Sequence, residues 1–357
     1  MHDISQTRIN WTNTLFLGFA HLMALGGIAY SIWGPLSGWS VLLGVVYFVF
    51  CGLSITGGYH RLFAHKAYRA AAPVRLFYLL FGAASVQNSA LEWSADHRRH
   101  HTHTDDDDDP YSVDHGFWWA HVGWVLRNKP KADVMVHDLE KDPLVRWQDR
   151  YYIPLAILMS AVLPAGLGYL WGDPIGALLW AGFLRLVFQW HATFSINSFT
   201  HKFGSQPYDG ESSARDSWWT ALLTFGEGYH NFHHRFPLDY RNGLRWWQFD
   251  PTKWFVCSLS WMGQTWDLKR TSLERIHAAK AWASEVKAAK RLGMTLAELK
   301  ERMEIAQRLG MTLAELRERM ELDQRLDSTL AELKEFKERM EVAGQQAAGR
   351  QVVSGPG

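Results

Sequence analysis

From Trp11 to Tyr59 the chain contains no Asp, Glu, Lys or Arg, and that limits its fold more than any other feature. Two apolar stretches, 11–33 and 39–58, are divided only by Gly34-Pro35-Leu36-Ser37-Gly38. Each is as long as the roughly 20 residues an α-helix needs to cross a bilayer core. A backbone in hydrocarbon must satisfy its own hydrogen bonds, so the pair reads as a transmembrane hairpin. A second pair, 152–171 and 174–199, is joined by Gly172-Asp173 and reads the same way. The expected fold is an all-α membrane protein with four transmembrane helices in two hairpins, carrying a cytoplasmic helical cap. Arg61, Lys66, Arg69 and Arg75 follow the second span, whereas the first linker is uncharged. The positive-inside rule then places both termini and the polar face of the cap in the cytoplasm. Segment 70–90, with Pro73, Arg75, Gln87 and Asn88, reads as interfacial or re-entrant and returns the chain to the same side. Arg185 lies inside the fourth span, where a charge marks function or a protein-facing contact unless it snorkels along a tilted helix.

The segments beyond the span ends carry histidine in boxes. His97, His100 and His101 stand at i, i+3 and i+4 and project from one face of a helix; His230, His233 and His234 repeat that spacing. His60 and His65 form a third box, although residues five apart diverge by about 140° on an ideal α-helix. The boxes hold eight of the 17 histidines. Several imidazoles buried together oppose one another's protonation, and a shared metal removes that difficulty. Imidazole suits zinc, copper, iron and nickel alike, so ligand type leaves the metal open. The three boxes supply enough nitrogen for two octahedral or near-octahedral metals. The run Asp105 to Asp109 reads as a solvated acidic turn, because it lacks the glycine and spacing of a calcium loop. His103 and His121 read as hydrogen-bonding residues, and His191 faces a span interior.

Other classes drop out. A net charge of +1 without a basic stripe gives no reason for a nucleic-acid partner. Cys51 and Cys257 are the only cysteines, which excludes a disulfide framework, a thiolate zinc site and a cysteine-ligated iron–sulfur cluster. The polar start lacks a cleavage site after the first apolar run, so that run reads as an uncleaved span. Beyond about residue 270 the character changes. Arg291-Leu-Gly-Met-Thr-Leu-Ala-Glu-Leu recurs seventeen residues later at Arg308, and a weaker copy begins at Arg325. Thr295 to Glu298 and Thr312 to Glu315 are capping boxes, each preceded by a glycine stop, Gly293 or Gly310. The expected organisation is a membrane domain over 1–270, a helical repeat tail over 271–343 and disorder over 344–357.

Taken together, several motifs resemble the membrane fatty acyl desaturases, most nearly the acyl-CoA (stearoyl-CoA type) delta-9 desaturases. They are Gly58-Tyr59-His60-Arg61-Leu62-Phe63-Ala64-His65, Asp96-His97-Arg98-Arg99-His100-His101, Asn197-Ser198-Phe199-Thr200-His201 and Gly226-Glu227-Gly228-Tyr229-His230-Asn231-Phe232-His233-His234. The resemblance covers roughly residues 11–260 and implies a non-haem di-iron centre. Its ligands would be His60, His65, His97, His100, His101, His201, His230, His233 and His234, with Asn197 reaching iron through water. It implies that Gln87, Trp93 and Thr193 hold the bend of an acyl tunnel, that Asn88 and Asp96 lie near the headgroup, and that Lys129 meets a phosphate of CoA. Ala95 stands where animal enzymes have a headgroup-binding Arg, Asn128 replaces a basic residue beside Lys129, and Phe194 replaces a Trp. These departures leave an acyl-lipid or acyl-carrier headgroup open.

The implied reaction is the oxygen-dependent insertion of a cis double bond, at delta-9, into a long saturated acyl chain. Methylene protons are not acidic at accessible pH, so oxygen activated at iron is the available route. Electrons must come from a separate donor of the ferredoxin, cytochrome b5-like or rubredoxin type, because no haem-attachment motif or fused carrier is found. A hydroxylase on the same scaffold is the alternative enzyme. A metal transporter is the alternative of another class, but it calls for a path of ionisable residues along several spans, and few, His21 and Arg185 among them, lie inside. The uncharged linkers and lack of an endoplasmic-reticulum retention signal point to a bacterial inner membrane.

Overall fold

The computed structural model describes residues 8–128, 136–308 and scattered positions from 310 to 335, in two compact units, 1–280 and 281–357. In the first unit, helix α1 (Trp11–Trp33) begins where Asn10 Oδ1 accepts from the Asn13 amide at 3.0 Å. Helix α2 (Gly38–Ala64) begins at Ser37, whose hydroxyl accepts from the Trp39 amide. Trp11, Leu15, Leu22, Leu25, Ile32 and Trp33 of α1 are all exposed. An apolar face of that size suits lipid and is costly in water.

Helix α3 (Ala72–Ala84) has Pro73 in its first turn, where a missing amide costs nothing, and buries Tyr78, Leu79, Ala83 and Ala84. At 13 residues it is too short to span. Helix α4 (Ala90–Thr102) starts at Ser89, which accepts from the Glu92 amide at 3.2 Å. Helix α5 (Tyr152–Trp171) and helix α6 (174–199) form the second hairpin. The hairpin ends are joined by one side chain: the Asp173 carboxylate accepts from Tyr30 Oη, the Ser37 amide and Ser40 Oγ at 2.7–2.9 Å, and caps α6 through the Gly176 amide.

Among the described residues three helices, α1, α2 and α5, are long and apolar enough to cross a membrane. The fourth expected span, α6, is one continuous helical run outside that group. Arg185, Gln189 and Trp190 are buried on its inner face and hydrogen-bond to the turn after α3, so polar side chains there face protein.

The last eleven residues of α2, Ser54–Ala64, are π-helical, and the His65 amide donates to the His60 carbonyl at 3.0 Å. That i→i+5 closure corrects the α-helical expectation for the first box. Residues five apart now lie one turn apart on one side, and the two imidazole centroids are 4.8 Å apart. Gly58 permits the close approach of α3: a Cβ there would sit 2.5 Å from Tyr78 Cβ. Short helix α7 (His230–Arg235) carries the last box, and two-residue strands Arg69–Ala70 and Thr265–Trp266 pair antiparallel. The surrounding core includes Ile55, Tyr59, Tyr78, Leu79 and Val256.

Helices α8 (Leu273–Arg291) and α9 (Leu296–Arg308) follow in the chain. Both strong repeat copies close the same way. The Thr295 amide donates to Glu298 and the Glu298 amide to Thr295 Oγ1, and Thr312 and Glu315 do likewise. Gly293 and Gly310 take left-handed φ of 70° and 67°. Val286, Ala289, Leu299 and Ala306 pack with Leu316 and Met320 in a small core of the second unit. The closing segment 344–357 lies outside the described residues, and the third copy is described only in part.

Candidate metal centre

The ends of α2 and α6, together with α4 and α7, bring nine histidines into two groups. His60, His65, His97, His101 and His233 place one ring nitrogen each within 4.8 Å of one another, and His100, His201, His230 and His234 do the same. In the first group Nε2–Nε2 separations are 2.9 Å for His60–His233, 2.8 Å for His65–His97 and 2.9 Å for His101–His233. In the second they are 3.2 Å for His100–His234, 3.1 Å for His201–His230 and 3.0 Å for His230–His234. Hydrogen bonding cannot account for this pattern. His233 Nε2 faces two other Nε2 atoms and carries at most one proton, and so does His230 Nε2. A shared cation can: nitrogens about 2.1 Å from an ion stand about 3.0 Å apart when cis in an octahedron. The donor set therefore fits a pair of metal ions, with five nitrogens for one and four for the other.

The backs of three rings are held in a way that leaves Nε2 free to ligate. His60 Nδ1 lies 2.9 Å from Glu227 Oε2, His100 Nδ1 lies 2.9 Å from Asp109 Oδ2, and His201 Nδ1 lies 2.6 Å from Ser213 Oγ. Such partners set the tautomer and orient the ring. Glu227 is itself gripped by Arg61 at 2.9 Å and Asn242 Nδ2 at 2.6 Å. Sequence reasoning missed Glu227 as a site residue, although it lies three positions before His230 inside a motif that carries the resemblance. The solvated reading of the acidic run is corrected at two positions. Asp109 is buried on His100, and Asp105 bonds the Ser213 hydroxyl and amide; Asp106 and Asp108 remain exposed. The side chains of Asp105 and Asp109 turn inward onto Ser213 and His100.

Burial, and then mutual repulsion, holds the pKa of His65, His97, His101, His230, His233 and His234 well below the usual value; His201 falls to about 3. Neutral imidazole is the ligating form. In metal-free protein the sign follows from linkage. The unfolded chain binds protons from about pH 6.5 downward, whereas the folded rings stay neutral, so stability falls with pH over that range. The thermal midpoint of metal-stripped protein in detergent should be lower at about pH 5 than at about pH 7.5; an unchanged or higher midpoint would contradict neutral burial.

A cavity of about 1030 Å³ opens onto these nitrogens and is lined by His60, His97, His100 and His230. Gln87, Asn88, Trp93, Asp96, Thr193 and Asn197 line it as well. Gln87 Nε2 donates to Thr193 Oγ1 at 3.1 Å, and Trp93 stacks on His97 with centroids 4.9 Å apart. Ala95, Phe194 and Arg127 also face the cavity, whereas Lys129 lies outside the described residues. Phe48, Ile55, Ile157 and Phe183 make apolar wall, and Asp96, Arg127, Glu140 and Asp149 make polar wall. His121, His191 and His21 form a separate chain, with ring nitrogens 3.1 and 3.0 Å apart, and His103 pairs with exposed Asp106.

The fatty acid desaturase profile matches residues 31–256. The chain belongs to the fatty acid desaturase family. This desaturase-family chain is 44% identical over 266 residues to a probable acyl-CoA desaturase of Schizosaccharomyces pombe, covering 73% of this chain and 54% of the relative. It is 47% identical over 242 residues to acyl-CoA desaturase 1 of Saccharomyces cerevisiae, covering 67% and 48%. It therefore spans about half the length of these yeast relatives. With the sn-1 stearoyl-lipid 9-desaturase of Anabaena variabilis it shares 37% identity over 270 residues, covering 74% of this chain and 96% of that protein.

Proposed function

We propose that this chain is an oxygen-dependent desaturase that inserts a cis double bond, at delta-9, into a long saturated acyl chain, carried by CoA. The observation that supports this most is the cavity whose wall joins an apolar channel to the nitrogens of both histidine groups. The names of its relatives, acyl-CoA and stearoyl-lipid 9-desaturases, support the substrate class and bond position. The nine histidines would hold a pair of irons, with Asn197, which lines the same cavity, reaching iron through a water. When bound, those irons supply the oxygen-dependent removal of hydrogen from an unactivated methylene pair. The residues of the chain do the rest. Gln87, Trp93 and Thr193, which line the cavity, would hold the bend of the acyl chain and so present one methylene pair, while the apolar wall would exclude bulk water. Asn88, Asp96 and Lys129 meet the headgroup, and two electrons arrive from a separate small redox protein of the ferredoxin, cytochrome b5-like or rubredoxin type.

The membrane reading follows the same lines. Four spans, α1, α2, α5 and α6, hold the histidine-bearing ends and both termini on the cytoplasmic side, where Arg61, Lys66, Arg69 and Arg75 lie. The uncharged first linker supports a bacterial inner membrane. The test is expression in a host unable to make unsaturated fatty acids, with a redox donor supplied and methyl esters resolved by gas chromatography. A new cis monoene is expected. No monoene, or 2- or 3-hydroxy products instead, would overturn the proposal.

A further inference from the structure

The turn between α3 and α4 is strained at two positions that are not glycine: Val86 has φ 49° and Asn88 has φ 72°. Left-handed backbone at a β-branched residue persists only where the surroundings over-determine it. Here one face of α6 does so. Arg185 Nη1 donates to the Ala84 carbonyl at 2.9 Å, Gln189 Nε2 to Ser85 Oγ at 3.0 Å, and Trp190 Nε1 to the Ser85 carbonyl at 3.0 Å. Thr193 Oγ1 closes the series by accepting from Gln87 Nε2 at 3.1 Å. Positions 185, 189 and 193 are spaced i, i+4, i+8, so the rungs run along a single stripe of the helix. They bind residue 84 at the end of α3 and residues 85 and 87 of the turn in the same order.

Arg185 is the costly member. It is 4% exposed, which rules out snorkelling, and its Nη2 finds no hydrogen-bond partner. Among the described residues no carboxylate pairs with it; Nε bonds the Ala181 carbonyl and the guanidinium lies 5.6 Å from the Tyr47 ring centroid. A buried cation without a counter-ion inside a membrane span is expensive unless its geometry is needed. Gln189, Trp190, Val86 and Gln87 all line the cavity, so the turn held by this stripe is its wall.

We infer that Arg185 and Gln189 are positioning residues that set the double-bond position: by pinning Ala84 and Ser85 they fix where Gln87 stands, and so which methylene pair lies against the histidine nitrogens. The inference rests on the desaturase reading above and adds the determinant of where along the chain it acts. The test compares Arg185→Met, Gln189→Met and Arg185→Lys with the unaltered chain, scoring double-bond position by mass spectrometry of dimethyl disulfide adducts and iron by elemental analysis. The two Met variants should keep their iron and turn a single isomer into a mixture shifted by one or two carbons. Arg185→Lys, which can still donate to Ala84, should return the product to a single isomer. A single isomer made at a reduced rate by both Met variants, or iron lost together with activity, would overturn the inference and leave a structural role. If the Met variants do not accumulate, Ser85→Ala decides: it removes only the hydroxyl that accepts from Gln189, and it should give the mixture, whereas one isomer would overturn the inference. No monoene from the unaltered chain would instead overturn the desaturase reading and this inference with it.

Discussion

Replacing His100 by Ala should abolish product formation while the protein still inserts into the membrane. His100 is one of only four imidazoles in its group, its Nε2 lies 3.2 Å from that of His234, and its Nδ1 rests on buried Asp109. The substitution removes one ligand of four and leaves the buried Asp109 carboxylate, among the described residues, only the Asp105 and Tyr111 amides as partners, which is costly by itself. Losing only an outer partner of a metal ligand costs about 10- to 100-fold in affinity or activity, so losing the ligand should exceed about 100-fold. The spans are untouched, because α4 lies outside them. Gas chromatography of methyl esters, with a membrane-fraction immunoblot, reads both quantities. Full activity in the variant would remove His100 from the ligand set.

Glu227→Gln should lower metal affinity by about 10- to 100-fold, although Glu227 touches no metal. Its Oε2 meets His60 Nδ1 and accepts from Asn242 Nδ2, its Oε1 meets Arg61, and all of these groups are buried. Removing the charge frees the His60 ring to turn and leaves the Arg61 guanidinium with Asp250 as its remaining carboxylate partner. Breaking a buried pair on one side costs about 3–5 kcal/mol, so part of the effect should appear as a lower thermal midpoint. Iron retained after dialysis against a chelator measures the affinity change. Asp106→Asn is the control, since Asp106 pairs with His103 at the surface and should leave iron retention unchanged. Equal retention in Glu227→Gln and unaltered protein would show that the carboxylate does not orient His60.

How far the centre could be read from the sequence depended on the local geometry each box assumes. His97, His100 and His101, and likewise His230, His233 and His234, sit at α-helical spacing, and α4 and α7 realise it. His60 and His65 obey no α-helical rule; their convergence depends on a π-helical run that no local pattern announces. Glu227, Asp109 and Asp105 were hidden for a different reason. Their roles depend on which ring each meets after the chain has folded back, and acidic residues beside glycine or in a run carry the same local signal as a solvated turn. The spans α1, α2 and α5 were plain from apolar length alone. Helix α6 blurred that signal, because the polar stripe that holds the α3–α4 turn lowers its apolarity. Arg185 showed as an anomaly in the sequence, but the direction it faces came only from packing.

The account rests on two ions held by nine imidazoles, and the most direct measurement is elemental analysis of protein purified from iron-replete cells. It predicts about two irons per chain, falling to about one in His100→Ala. Purified, folded protein holding neither iron nor any substitute metal would contradict it.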